Sequence, residues 1–483
     1  MANDVPLTLK LEPGEYQCYT ALDAEDGTPV RLGGILSLQG NQSAELGLLG
    51  GIPDESTTDL EAGVTMAAYP QVTELPLLRV DLVRGNEVLL LGCTINKWMP
   101  GRAIVSAAAA LVGLTIPEDD QPPRFESLTL QITGAAAVIA PPPLEKVYGP
   151  LKPEDDKPME WRAVERLPRK ITDHDDGAEV SAYWYVSWSG GDGYAHRVTF
   201  SPVIEIAFSD PIDLDTLRDQ WLSPLDRIIG LSTGRPENNT YVGVELAGGD
   251  GRELQVYGTN ITQEPYAPRL NDLLKIEQAF HTYGDDDASL LRLCRGWQAA
   301  SEDGHPLVET LGTFLALPPQ HPRATFLLLI QALEGLYGYD NTEEEARLVQ
   351  HQAMRTRARE EVKGCTGIDP EVRKFIRGTL PSRPLSNLER ALNAVIKDLP
   401  VDLTGKLNSL ELVKSLVAEG GEAKDWASAM RLVRNGLSHG DRSWASRLLR
   451  PAAEVLEAIA RAHLMRTIGV SDSSIEQYLT GKA

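Results

Sequence analysis

The chain has 483 residues, of which 42% are apolar and 24% charged, and its net charge is −23. This length and composition are typical of a globular protein with two or more domains, and they exclude disordered, collagen-like and low-complexity chains. Four widely separated cysteines disfavour a disulfide framework or a zinc site and favour a reducing compartment: Cys18, Cys93, Cys294 and Cys365.

The charge is distributed unevenly along the chain. Residues 1–340 contain 24 Lys and Arg against 50 Asp and Glu, a net charge of −26, whereas residues 341–483 contain 22 against 19, a net charge of +3. A mildly basic end on an acidic body makes a polyanionic partner compatible with that end. The chain has no secretory signal pattern and no apolar run of roughly 18 residues, so we expect a cytoplasmic protein with no membrane partner.

Up to about residue 265 the sequence predicts β structure. Short runs such as Val88–Gly92, Ser127–Ile132 and Val203–Phe208 are separated by Gly, Pro and Asp. Glycine-rich turns at Gly190–Gly193 and Gly248–Gly251 predict two hairpins. The region therefore favours a mainly antiparallel, sandwich-like β domain over residues 1–265, which a proline-rich loop or linker near 141–158 could divide into two halves.

One helix interrupts the β region, from about Leu214 to Leu231, and helical periodicity continues from about Pro268 to the end. No internal repeat occurs, so residues 266–483 predict an all-α bundle and the chain an α+β multidomain protein. We expect helices near 269–282, 287–302, 306–316, 322–338, 343–363, 369–379, 386–398, 408–418, 423–438 and 445–466.

The helix predicted at 423–438 has two distinct faces. Its apolar residues Trp426, Met430, Val433 and Leu437 fall within roughly 60° on a helical wheel and predict one buried stripe. Gly436 costs a helix about 1 kcal/mol relative to Ala, which indicates a close approach of backbone or ligand. The other face is polar: Arg431, Arg434, Asn435, Ser438 and His439. An ordinary solvated helix that ends at Gly440 would also explain this pattern.

The segment Arg434–His439, read as Arg-Asn-Gly-Leu-Ser-His, resembles the Arg-Asn-x-x-x-His motif of HEPN domains, helical bundles that are often metal-independent ribonucleases. Upstream, Phe326–Tyr337 followed by a basic helix is similar to the HEPN region of ApeA-like proteins, a bacterial anti-phage family. The β-rich part, notably Leu225–Pro236, also resembles their amino-terminal domain. The likeness covers most of the chain, loosely before residue 210.

This resemblance implies a metal-independent endoribonuclease without a cofactor, acting on tRNA or another structured RNA in abortive anti-phage defence. It also implies a homodimer through the HEPN bundle, with a phage-derived trigger as an unknown further partner. The alternatives are an inactive HEPN bundle that binds RNA or nucleotide, and a ligand-binding β domain whose helical end only dimerises.

The chemistry of metal-free RNA cleavage suits the residues of the motif. It needs a base for the 2′-hydroxyl proton, an acid for the 5′-oxygen and a cation for the developing phosphorane charge. We assign His439 as base or acid, Arg434 as phosphate clamp, and Asn435 to orient phosphate or His439. A single motif lacks a second proton-transfer group, so the resemblance implies that two protomers combine their motifs in one site.

Three residues are predicted to support this site, and a basic helix is predicted to bind RNA. Glu334 lies in a largely apolar helix and is expected to pair with a motif arginine, while Ser438 and Arg431 accompany the motif. The basic residues recur at every fourth position over about 24 Å: Arg347, His351, Arg355, Arg359 and Lys363. A solvated face neutralised by Glu343, Glu344, Glu360 and Glu361 is the alternative.

The remaining polar clusters predict no metal site. Asp173–Asp176 and Asp285–Asp287 lack the spacing of a calcium loop and are expected to be turn and cap residues. Trp184 and Trp188 could stack on a sugar or base, although a sheet surface or core explains them as well.

Overall fold

The fold is taken from a computed structural model of the chain. It describes residues 11–23, 26–40, 42–50, 56–60, 64–68, 74–99, 102–113, 121–139, 143–148, 162–165, 170–190, 196–259, 261, 279–283, 288–316, 320–340, 342–380 and 388–481. The predicted cluster Asp285–Asp287 and most of the helix expected at 269–282 lie outside these residues.

The chain divides into two compact units, Met1–Arg295 and Gly296–Ala483. The change of sequence pattern at 265/266 precedes this division. The residues around that change, 262–278, are not among those described. The predicted fold class is confirmed, because antiparallel strands fill the first unit and helices the second.

Sixteen strands are described in the first unit. They are β1 Gly14–Asp23, β2 Pro29–Leu38, β3 Ala44–Leu49, β4 Ser56–Leu60, β5 Val64–Ala68, β6 Glu74–Leu82, β7 Glu87–Met99, β8 Arg102–Gly113, β9 Phe125–Ile132, β10 Leu144–Tyr148, β11 Arg162–Glu165, β12 Lys170–His174, β13 Ala178–Gly190, β14 His196–Ile212, β15 Asn239–Leu246 and β16 Glu253–Gly258. Both predicted hairpins are present, β13 with β14 and β15 with β16. Strand β10 lies within the predicted linker near 141–158 and pairs with β11, which follows that linker.

Twelve strands form one sheet in the order β12-β13-β14-β9-β15-β16-β8-β3-β2-β1-β6-β7, and β7 also pairs with β8. This extra pairing closes β8, β3, β2, β1, β6 and β7 into a ring. Alternate residues of these strands, such as Leu36, Leu46, Leu90 and Val105, are fully buried in one core cluster. Closure removes two sheet edges and buries one face of every strand in the ring, which explains the alternating sequence pattern.

Helical segments accompany this sheet. Helix α1 spans Ala135–Val138, α2 spans Leu214–Thr216 and α3 spans Ser223–Thr233, with a π-helical turn over Leu217–Leu222 between α2 and α3. The helix predicted at 214–231 is therefore continuous but locally widened. Its apolar residues Leu217, Trp221, Leu225 and Ile228 are buried, and it ends at Gly234 with φ +71°, a left-handed conformation that favours glycine.

The helices that follow are α4 Leu290–Glu302, α5 Pro306–Ala316, α6 Pro322–Asp340, α7 Thr342–Gly364, α8 Pro370–Thr379, α9 Leu388–Lys397, α10 Thr404–Ser409, α11 Glu411–Glu419, α12 Trp426–His439, α13 Ser446–Ile468 and α14 Asp472–Thr480. Where the sequence predicted a single helix at 408–418, the structure has the end of α10 and then α11, because Leu410 adopts an extended conformation between them. Helix α14 was not predicted. Among the described residues, no helix is long and apolar enough to span a membrane.

Helix α6 is the centre of the second unit. It packs against α5, α9, α12 and α13, and its residues Phe326, Leu329, Ile330 and Leu333 are almost completely buried. Burial of such side chains contributes roughly 1.5–3 kcal/mol each. Since α6 is anchored in this way, it holds its few polar side chains in fixed positions against α12.

Candidate active site at the carboxyl end of helix α12

Helix α12 is fixed at both ends by local interactions. At its start, the Asp425 carboxylate accepts a hydrogen bond from the Ser428 backbone N–H at 2.9 Å, and Ser428 Oγ accepts one from the Asp425 N–H at 3.0 Å. At its end, Gly440 has φ +75° and stops the helix. The predicted apolar stripe is buried, with Trp426, Met430, Val433 and Leu437 all below 3% exposed. The polar residues are thereby held on the opposite side of the helix.

Arg434 is held by a carboxylate from α6. Its Nη2 lies 3.5 Å from Glu334 Oε2, and both side chains are about a quarter to a third exposed. Its Nη1 also donates to Asn435 Oδ1 at 3.3 Å. The ion pair expected for Glu334 is thus present in the structure. A guanidinium has five N–H donors, so these two contacts leave others to bind an anion.

His439 is the last residue of α12, and both His439 and Ser438 are exposed. Within the described part of the chain, the His439 imidazole has no hydrogen-bond or ion-pair partner. Arg434 and His439 are five residues apart, so an ideal helix places them about 7.5 Å apart along its axis.

The loop after His439 folds back over Gly436. A Cβ atom at Gly436 would lie 2.7 Å from Cη2 of Trp444 and 3.1 Å from the Arg442 Cβ. The Arg442 N–H also donates to the Gly436 carbonyl at 3.3 Å, and its guanidinium pairs with Glu419 at 2.7 Å. The close approach predicted at Gly436 is therefore made by the Trp444 indole, which fixes the loop beside His439.

Arg431 does not join Arg434 and His439 in the structure. Its Nε donates to Glu389 of α9 at 2.7 Å and its Nη2 to Glu422 at 3.0 Å. Hydrogen bonds to these two carboxylates, first of all Glu389, raise the pKa of Arg431 above its ordinary value. Its position ties α12 to α9 and to the loop before α12.

Two basic residues near the end of α12 were missed in the sequence. Arg323 Nη2 donates to the Leu437 carbonyl at 2.5 Å. His321 Nδ1 accepts from the Arg323 backbone N–H at 3.2 Å, and its Nε2 lies 3.5 Å from Ser446 Oγ. They precede the motif by more than a hundred residues, and only the packing of α6 against α12 brings them to it.

The predicted RNA-binding residues on α7 have mixed surroundings. Arg355 Nε donates to the Leu380 carbonyl and Arg359 Nε to the Arg377 carbonyl, both at 3.1 Å. These bonds cap the end of α8 and hold it against α7. Lys363 is exposed, whereas Arg347 and His351 are half-buried. Arg355 and Arg359 of this stripe thus face α8, and only some of the charge of the stripe is directed to solvent.

The described residues contain no cluster of three or more His, Cys, Asp or Glu that could hold a metal ion. The arrangement offers instead an imidazole and an anchored guanidinium. An imidazole can act as a proton donor or acceptor, and a guanidinium can bind a phosphate.

Comparison with known proteins bears on the helical unit. Residues 327–474, which include Glu334, Arg434 and His439, match the family model described as Apea-like HEPN. No curated protein and no solved structure matched the chain. The ApeA-like HEPN domain recognised from the motif is therefore confirmed, for residues 327–474 of the helical unit.

Proposed function

We propose that the chain is an endoribonuclease of the HEPN type, with Arg434 and His439 as its catalytic residues. The observation that carries this proposal is their placement on α12: Arg434 is anchored by Glu334 at 3.5 Å, and His439 is exposed five residues further on. Both lie within the segment that matches the Apea-like HEPN family. That family resemblance also supports a role in anti-phage defence.

In the proposed reaction a base takes the 2′-hydroxyl proton, and the 2′-oxygen forms a bond to phosphorus. The bond from phosphorus to the 5′-oxygen breaks, its electron pair stays on that oxygen, and an acid delivers a proton there. The products are a 2′,3′-cyclic phosphate and a 5′-hydroxyl. Arg434 stabilises the phosphorane charge and His439 transfers one of the two protons, with Asn435 orienting the phosphate or His439.

The second proton-transfer group is proposed to come from a second protomer, so that the active species is a homodimer with two facing motifs. The substrate is proposed to be tRNA or another structured RNA, and a phage-derived signal to activate cleavage in an abortive response. These finer assignments rest on the family resemblance. No step in the proposed chemistry needs a metal ion.

The test is cleavage of RNA by the purified chain in the presence of EDTA. We expect cleavage that leaves a 2′,3′-cyclic phosphate, and we expect His439→Ala and Arg434→Ala each to abolish it. Because both residues are at least partly exposed, each variant should keep its unfolding free energy within about 1 kcal/mol of wild type. Cleavage by both variants at the wild-type rate would show that the site is elsewhere. RNA binding without cleavage would favour the inactive HEPN alternative.

A further inference from the structure

Helix α8 is an amphipathic helix whose apolar side is left exposed by the described residues of its unit. None of its residues is buried; Phe375 is 69% exposed and Val372 is 49% exposed. Helices of globular proteins normally bury their apolar side. Its hydrogen bonds with Arg355 and Arg359 nevertheless hold α8 as an ordered arm on α7. The exposed side of α8 is therefore a preformed surface that a partner can cover.

The charge around this surface is positive in a chain that is otherwise strongly acidic. Residues 346–380 contain eight Lys and Arg against four Asp and Glu, whereas the whole chain has a net charge of −23. Helix α8 has Arg373, Lys374 and Arg377 and a single acid, Glu371. In the described part of the chain, Lys374 and Arg377 have no ion-pair partner. This excess of cations is complementary to a polyanion.

The nearest acids to this surface lie on α7. Leu380, at the end of α8, lies beside Arg355, and Arg377 lies beside Arg359, so Phe375 lies towards the turn that joins α7 to α8. Glu360 and Glu361 are exposed at that level, and Glu361 pairs with Arg357 at 3.1 Å. The cations of α8 itself are therefore the charges that carry the argument.

We propose that the α8 surface, formed by Phe375, Lys374 and Arg377, binds single-stranded RNA. A solvent-exposed aromatic ring among unpaired cations can stack on an unpaired base while the cations contact its phosphates. A symmetric contact between the α8 surfaces of two copies is disfavoured, because it would bring two positively charged surfaces together. Duplex RNA presents no free base face to Phe375. The inference rests on RNA being the substrate of the proposed function, and it specifies an unpaired region as the part that docks.

The test measures RNA binding separately from cleavage. Full-length His439→Ala chain, which should not cleave, is titrated into a short fluorescently labelled oligouridylate, and anisotropy is recorded at several salt concentrations. We expect Phe375→Leu to weaken binding roughly 10-fold, because leucine keeps the apolar area but cannot stack, and Phe375→Trp to retain it. Lys374→Glu should weaken binding and reduce its salt dependence.

Two matched controls belong to this experiment. Met354→Leu changes another exposed apolar residue of the α7–α8 arm, and Lys414→Glu reverses an exposed lysine on α11. Both should bind the oligouridylate within 2-fold of the parent chain. A duplex of the same length should bind at least 10-fold more weakly than the single strand, and Phe375→Leu should not change duplex affinity.

Three results would overturn the proposal. The first is unchanged affinity in Phe375→Leu and Lys374→Glu, and the second is equal affinity for single strand and duplex. The third is an oligomer that dissociates in Phe375→Asp while RNA affinity is unchanged, since the surface would then hold a second copy. RNA binding that depends on Phe375, in a wild-type chain that cleaves no RNA, would support this surface while contradicting the proposed nuclease function.

Discussion

At the scale of single residues, the site depends on an electrostatic contact between helices α6 and α12. Glu334 holds one side of the Arg434 guanidinium, which limits its conformations before a substrate binds. An ion pair that is only partly buried contributes little to stability. We therefore interpret Glu334 as a positioning residue, and Arg431, which pairs with Glu389 and Glu422, as a structural residue.

A buried carboxyl in the first unit is expected to bind its proton more tightly in the folded chain than in the unfolded chain. Burial raises the pKa of Asp226 well above its ordinary value, and the negative charge of Glu237 raises it further. Asn239 Nδ2 donates to Asp226 Oδ2 at 2.9 Å. Within the described structure, Asp226 Oδ1 and Asn239 Oδ1 are both buried without a partner. One proton on Asp226 Oδ1 would give the Asn239 oxygen a donor and complete a cyclic acid–amide pair.

This pair predicts a specific dependence of stability on pH. The folded state keeps the Asp226 proton more tightly than the unfolded state, so its contribution is complete below the unfolded pKa of about 3.9 and declines as pH rises towards the raised folded pKa. We expect Asp226→Asn, which can form the same pair without titrating, to reduce this decline. The decline is measured as the difference between the unfolding free energies obtained by urea denaturation at about pH 5 and about pH 8.

The control for this prediction is Asp226→Leu. It leaves the buried Asn239 amide unpaired and should cost about 1–3 kcal/mol at either pH. If Asp226→Asn were destabilised as much as Asp226→Leu, or kept the full pH dependence of wild type, Asp226 would be ionised in the folded protein.

At the scale of elements, the site depends on how the loop between α12 and α13 packs on α12. The Trp444 ring occupies the space beside Gly436, where a Cβ would lie 2.7 Å from it. The loop follows His439 directly in the chain.

We predict that Gly436→Ala destabilises the helical unit by about 1–3 kcal/mol, since the added methyl group must displace the indole. In a Trp444→Ala background the same change should cost less, because helix propensity favours Ala and only the 3.1 Å approach to the Arg442 Cβ remains. The measurement is a double-mutant cycle of thermal or urea unfolding. Equal cost in both backgrounds would mean that another contact excludes a side chain at Gly436.

At the scale of the whole molecule, the proposed catalysis requires two protomers. Each motif supplies a single imidazole beside its anchored arginine, whereas the proposed reaction moves two protons. A facing motif from a second copy would complete the set. Activity should then depend on protein concentration, because the dimer dissociates on dilution.

Mixing two inactive variants tests the composite site. A dimer of an Arg434→Ala chain with a His439→Ala chain still contains one intact arginine and one intact histidine, and we expect it to recover part of the wild-type cleavage rate. The measurement is RNA cleavage after the two chains are mixed and allowed to exchange, with each variant alone as control. Absence of recovery, together with full activity in a monomeric variant, would show that each protomer works alone.

Features that depend on neighbouring residues could be predicted from the sequence. The periodicity of apolar residues predicted the β and helical regions and most of the described helices, because each element buries one side, and glycine-rich turns predicted both hairpins. The stripe from Trp426 to Leu437 and the end of α12 at Gly440 followed in the same way. The motif Arg434–His439 was visible because its residues are local.

Contacts between distant residues could be read only from the folded chain. The pairing of β7 with β8 closes the ring, and the packing of α6 on α12 brings Glu334 and Arg323 to the motif. The same level of structure pairs Arg431 with Glu389 and turns Arg355 and Arg359 towards α8. Some of these contacts join residues a hundred or more positions apart in the sequence. They depend on helix packing and strand order, which local periodicity does not encode.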